Sequence, residues 1–165
     1  MVKVLIKKLD PAVEIPAYKT TGASGMDLMA FIKKPIKLLP KNSCLIPTGL
    51  SVAFSNKYEI QIRPRSGLAA KNNISVLNTP GTIDSDYRGE IKIILFNHGN
   101  SDFIINNKDR VAQMILMPVH KMDLEEVISL PDSLRGKGGF GSASGLVGGC
   151  KLCSSCAARN EGNLP

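Results

Sequence analysis

Three short segments of this chain carry side chains that could handle phosphate. In Arg63-Pro64-Arg65-Ser66-Gly67, two guanidinium groups precede a hydroxyl at the point where helix-favouring residues begin. Guanidinium forks and free backbone N–H groups at a helix start suit an anion. The same residues also read as a helix cap preceded by surface arginines. In Gly81-Thr82-Ile83-Asp84-Ser85-Asp86-Tyr87-Arg88-Gly89, two carboxylates stand two residues apart in a turn-rich run. Such a pair can supply a general base and a ligand for water or metal. Taken by itself, a β-hairpin turn using Asp for side-chain-to-backbone bonds is the better account of them. In Arg135-Gly136-Lys137-Gly138-Gly139-Phe140-Gly141-Ser142, glycine amides, Arg135 and Ser142 could wrap a phosphate chain. Phe140 has no local apolar partner there, and stacking on a planar ligand would supply one. A terminal arm with one stray aromatic is the plainer account. His98 and His120 stand without a serine or cysteine motif around them, so an enzyme made from these residues would activate water with a carboxylate.

The elements that must position these segments are short. Tyr58 to Ile62 alternates cleanly, with Tyr58, Ile60 and Ile62 on one side and Glu59 and Gln61 on the other. Leu45-Ile46 and Leu50 to Phe54 read as two strands broken at Pro47-Thr48-Gly49, whereas Val2 to Leu9 alternates only weakly. Ile91 to Phe96, Phe103 to Ile105 and Val111 to Val119 are further apolar runs, separated by Asn-rich turns. One short helix is expected at Gly67 to Asn72, with Ser66 as its cap, and Asp123 to Leu130 reads as another short turn. Many short strands with regular punctuation indicate an all-β sandwich, barrel or jelly roll. The domain boundaries expected are 1–134 for the β domain, 135–145 for a glycine-rich arm and 146–165 for a small-residue tail.

Composition narrows the class. The 165 residues are 43% hydrophobic but only 5% aromatic, so the core is aliphatic and large enough to need no staple. No apolar stretch approaches the roughly 18 residues of a membrane span, and the lysine-broken N-terminus is no signal-peptide core. The expected location is the cytoplasm. The net charge of +7 suits anionic partners but is scattered in ones and twos. It forms no aromatic-basic stripe, and no nucleic acid is expected as a partner. Cys150, Cys153 and Cys156 fall short of the four ligands of a structural zinc site, and a flexible tail is the better reading.

Taken together and in order, these segments resemble the trimeric deoxyuridine triphosphate nucleotidohydrolases, the dUTPases. The resemblance runs from Thr20 to Ser142 through Ala23-Ser24-Gly25-Met26-Asp27-Leu28-Met29-Ala30, Pro64-Arg65-Ser66-Gly67-Leu68-Ala69, the segment Gly81 to Glu90, Asp109-Arg110-Val111-Ala112-Gln113-Met114-Ile115, and Arg135 to Ser142. It implies a jelly-roll subunit in a homotrimer with shared active sites, and Mg²⁺-dependent hydrolysis of dUTP to dUMP and pyrophosphate. By motif position Asp84 activates the water. Asn78, Gly81, Thr82 and Ile83 bind the uracil end, and Tyr87 packs on the deoxyribose. Arg65, Ser66, Gly67 and Gln113 hold phosphates, Asp27 supports them, and Arg135, Phe140, Gly141 and Ser142 close over the nucleotide. The magnesium is held by the phosphates and water, with no direct protein ligand. Ala143 stands where the family commonly continues Ser-Thr-Gly, and the tail from Leu146 to Pro165 has no counterpart in the pattern. The related dCTP deaminases would call for a glutamate where Asp84 stands. A nucleotide-binding module without turnover would not need the intact Asp27, Arg65, Asp84 set.

Overall fold

The computed structural model describes residues 1–138, and Phe140, Gly141, Ser142 and the three cysteines of the tail lie outside them. The chain forms two compact units, Met1–Met122 and one beginning at Asp123. The first is all-β, with one helix among the described residues.

Four sheets make up this unit, and every strand pair in them is antiparallel. β1 (Leu5–Lys8) pairs with β5 (Leu50–Ala53), and β3 (Ile36–Leu38) with β10 (Phe103–Ile105). A three-stranded sheet runs β4 (Ser43–Pro47), β9 (Lys92–Asn97), β7 (Ile74–Val76). The four-stranded sheet that carries the site runs β2 (Met26–Met29), β11 (Arg110–Pro118), β6 (Tyr58–Arg63), β8 (Gly81–Ile83). Leu28, Ile46, Ile60, Ile62, Ile93 and Leu95 face inward and are buried, an aliphatic core as the composition requires. Buried polar groups are satisfied: Asn97 donates to the carbonyls of Leu38 and Ser101, and Thr48 to that of Ile91.

Several sequence expectations change here. β4 and β5 are separate strands broken at Pro47-Thr48-Gly49, and each joins a different sheet. The weakly alternating N-terminus is a strand nonetheless, because β5 offers it a ladder. The helix α1 spans Ser66–Asn72, and its cap is Arg65, in extended conformation and with no side-chain capping bond. Pro64 explains the shift: it disfavours helical geometry at Arg63 and fixes the chain just ahead of the first turn. Asp123 to Leu130 forms no helix, and Leu124, Ile128 and Leu130 are fully open, so the packing that stabilises a short helix is missing. The Asp84–Asp86 segment is not a hairpin, since β8 pairs with β6 while the next strand, β9, lies in the other sheet.

Two glycines are fixed by close approach. Gly49 takes a left-handed φ of 68° against Val13 and Phe31. A Cβ on Gly25 would stand 2.9 Å from Gln113 Oε1 and from Ile115 Cγ1. Gly49→Ala and Gly25→Ala are each expected to lose about 1–3 kcal/mol of stability, measured by urea unfolding. An unchanged midpoint would show that the neighbouring segments yield instead.

Candidate functional site

The arginine end of the site is built where β2, β11 and the start of α1 converge. Asp27 of β2 pairs directly with Gln113 of β11, and Gln113 with Arg63 of β6. Pro64 stops the β6 ladder for want of an N–H and turns the chain so that Arg65 comes back over β2. Arg65 donates through Nε to Asp27 Oδ1 at 2.8 Å, and its Nη1 donates to the Arg110 carbonyl at 3.2 Å. Arg110 Nη1 reaches the second carboxylate oxygen, Asp27 Oδ2, at 3.4 Å. Gln113 Nε2 donates to the Pro64 carbonyl at 2.9 Å and so fixes the turn that carries Arg65. One carboxylate thus orients two guanidinium groups, and the cluster keeps a net positive charge suited to an anion. Ser66 and Gly67 are exposed beside it, and a Cβ on Gly67 would meet nothing within 4 Å.

Arg110 was given no role from sequence. Arg110 and Gln113 are three residues apart, which in a regular strand puts them on opposite faces. The register shifts between Arg110 and Ala112, and this irregularity rephases the strand so that both meet the Asp27 side. Only a bulge signal could have found it, and Val111-Ala112, with neither Gly nor Pro, carries none.

The aspartate end stands at the other edge of the same sheet. Asn78 closes over Gly81, where a Cβ would stand 3.0 Å from its Nδ2. The Thr79–Pro80 peptide between them is cis. Gly81, Thr82 and Ile83 then pair with β6, and a turn closed by Tyr87 N–H on the Asp84 carbonyl follows at 3.2 Å. Tyr87 folds its ring over Gly89, donating its hydroxyl to the Glu90 carbonyl at 3.0 Å. Gly89 has no side chain because that ring occupies its place. Glu90 in turn accepts the Gly49 N–H at 2.8 Å, which ties the segment to the body. Asp84 is exposed, no described residue hydrogen-bonds its carboxylate, and a groove of about 290 Å³ lined by Tyr58, Glu59, Asp86 and Lys121 runs beside it.

The two ends do not meet within one chain. Asp27 and Asp84 are separated by three strand spacings, and by about four residues along β6. Sheet geometry puts that on the order of 20 Å. Asp27, Arg65 and Gln113 therefore come together, with Ser66 and Gly67 beside them, and Asn78, Gly81, Thr82, Ile83, Asp84 and Tyr87 form a second group. Arg135, in the second unit, donates through Nε to the Gly138 carbonyl at 2.8 Å within its own turn.

Two further side chains bear on the choice of nucleophile. Ser75 Oγ lies 2.8 Å from His98 Nε2, a hydroxyl–imidazole pair that the sequence did not suggest. It sits on the outer surface of the three-stranded sheet, and no described residue places a carboxylate on the ring's other nitrogen. Burial pushes the Cys44 thiol up, which makes it a poor nucleophile.

The chain has close relatives. The dUTPase family profile matches residues 12–144. A deoxyuridine 5'-triphosphate nucleotidohydrolase of Chlamydia pneumoniae is 54% identical over 81% of this chain and 93% of its own. One of Treponema denticola is 52% identical over 82% and 94%, and one of Rickettsia peacockii is 51% identical over 86% and 97%. Among solved structures, a dUTPase of Staphylococcus bacteriophage 80α superposes with a TM-score of 0.77, covering 86% of this chain and 98% of that one at 21% identity. A second structure of the phage protein, with dUpNHpp, gives 0.76 over 85% and 97%. The phage structures share the jelly-roll-like fold, and the chain, by its profile match and its relatives, belongs to the dUTPase family.

Proposed function

We propose that this chain hydrolyses dUTP to dUMP and pyrophosphate, as a homotrimer whose active sites are shared between copies. The observation that carries the reading is the separation of a two-arginine anion end from an exposed, uncommitted Asp84 on one chain. Two copies supply both ends to one nucleotide. Asp84 accepts a proton from water as the water oxygen bonds to the α-phosphorus. The bond from that phosphorus to the bridging oxygen breaks, and pyrophosphate leaves. Arg65, Ser66, Gly67 and Gln113 hold the phosphates, with Asp27 and Arg110 fixing Arg65. Asn78 and the backbone of Gly81, Thr82 and Ile83 read the uracil edge, and Tyr87 packs on the sugar. Arg135, Phe140, Gly141 and Ser142 close over the nucleotide and exclude water. The reading places the enzyme in the cytoplasm, limiting uracil in DNA.

The donor set bears on the metal. Among the described residues no three His, Cys, Asp or Glu side chains converge as ligands, and Asp27 is already committed to two guanidinium groups. The resemblance implies that a magnesium ion would be held by the triphosphate and water. Bound there, the ion would neutralise charge that develops on the phosphates.

The direct test is pyrophosphate release from dUTP, dCTP, dTTP and UTP, with Mg²⁺ and then with EDTA. Release from dUTP alone, lost in EDTA, is expected; silence on all four would favour a binding module. Asp84→Asn should lower kcat by about 10²–10⁴-fold with dUTP affinity retained, and lost affinity would give Asp84 a structural role. Gly67→Ala should raise KM for dUTP while stability holds or gains up to about 1 kcal/mol; an unchanged KM would remove Gly67 from the phosphate site. Inactive Asp84→Asn and Arg65→Ala variants, unfolded and refolded together, should recover roughly a quarter of wild-type activity if sites are shared. Two ends drawn from one chain would recover none.

A further inference from the structure

Between the end of β8 at Ile83 and the start of β9 at Lys92 no strand holds the chain, and Asp84 opens that span. No described residue hydrogen-bonds its carboxylate, so the backbone of the span sets where it stands. Arg88 Nη1 donates to the carbonyls of Ser85 at 2.7 Å and Tyr87 at 3.0 Å, and the Tyr87 N–H donates to that of Asp84 at 3.2 Å. The Tyr87 hydroxyl donates to the Glu90 carbonyl at 3.0 Å. These bonds join residues 84–90 into one unit without fastening it to the body. The fastening is the Glu90 side chain, whose Oε1 accepts the Gly49 N–H at 2.8 Å.

Gly49 is a firm anchor. Its φ of 68° is set against Val13 and Phe31, and its carbonyl accepts the Leu9 N–H at 2.8 Å. Its neighbours grip the next residue of the span: Thr48 Oγ1 donates to the Ile91 carbonyl at 2.7 Å, and the Ile91 N–H donates to that of Leu50 at 2.8 Å. The Glu90 side chain is 20% exposed, with its second oxygen 3.7 Å from Lys92 Nζ, and a carboxylate accepting a backbone N–H there makes a charge-assisted bond. We propose that Glu90 is a positioning residue for the hydrolysis, an inference that rests on the function proposed above. Fixed on the Gly49 amide, it holds Tyr87, and through Tyr87 it holds Asp84 where the water has to be met. Glu90 acts through those two residues and not on the nucleotide. A displacement of about 1 Å at a reacting group can cost about 10²-fold in rate, so a tie at the far end of the span reaches the chemistry. The phosphates are held at the other end of the site, so loosening this span spares most of the binding.

The test is the kcat and KM of pyrophosphate release from dUTP for wild type, Glu90→Ala, Glu90→Gln and Lys92→Ala, each shown folded by circular dichroism at the assay temperature. Glu90→Ala is expected to lower kcat by roughly 10–100-fold while KM moves far less. Glu90→Gln keeps an acceptor for the Gly49 N–H and is expected to restore most of kcat. Lys92→Ala, which removes only the ion pair, is expected to match wild type. Should Glu90→Ala fail to fold, Glu90→Asp, a methylene too short for the Gly49 amide but still charged, is expected to lower kcat in its place. A folded alanine or aspartate variant with wild-type kcat overturns the assignment and leaves the proposed function standing. A glutamine variant as slow as the alanine one, or a Lys92→Ala as slow, would also overturn it, since charge and not the amide bond would then be what matters. A raised KM with kcat unchanged would make Glu90 a binding residue instead. Wild type that releases no pyrophosphate from dUTP sinks the proposed function itself.

Discussion

Asp27 accepts Arg65 Nε at 2.8 Å and Arg110 Nη1 at 3.4 Å, and without that carboxylate the two guanidinium groups would face each other as like charges. The Asp27 and Arg65 side chains are only 20% and 25% exposed, so their pairing is screened less than a surface ion pair. Charge-assisted hydrogen bonds of this sort contribute about 1.5–3 kcal/mol. Their larger effect is geometric, because a guanidinium gripped on one edge presents its remaining donors in a fixed direction. Arg65 comes back to Asp27 where β6 ends at Pro64, and Arg110 meets the same carboxylate beside the register shift of β11.

The strand between the two ends, β6, has a second role. Its inward residues, Ile60 and Ile62, are buried in the core, while Glu59, Gln61 and Arg63 form a ladder outside. Gln61 donates to Glu59 Oε1 at 2.6 Å and accepts Arg63 Nη2 at 2.6 Å. That ladder lies along the outer surface of β6, which stands between β11 and β8 and so separates the two ends. The separation is a property of the fold, set by strand order and register, and the proposed function takes it up by drawing the two ends of each site from two copies.

Positioning at the aspartate end uses backbone more than charge. Tyr87 rests on Gly89, Asn78 on Gly81, and Glu90 on the Gly49 amide. Asp84 stays exposed beside these contacts, and no described residue hydrogen-bonds its carboxylate. Glu90, not Asp84, is the carboxylate that accepts a backbone N–H here, that of Gly49 at 2.8 Å.

The sequence by itself determined the class and the inventory. Alternation in Tyr58 to Ile62, the turn punctuation and the five ordered segments were sufficient for an all-β member of the dUTPase family, because local patterning and motif spacing are properties of neighbouring residues. It could not show that Arg110 joins Asp27, since a register shift in β11 depends on the strand it pairs with. It misplaced the helix cap, because Pro64 and the approach to β2 decide the conformation of Arg65. It read the Asp84 segment as a hairpin turn, because a local sequence does not say which sheet the next strand enters. The distance between the two ends, and the bond from the Gly49 amide to Glu90, belong to tertiary structure alone. Strand order places residues far apart in sequence side by side or keeps them apart, and no pattern along the chain encodes that order directly.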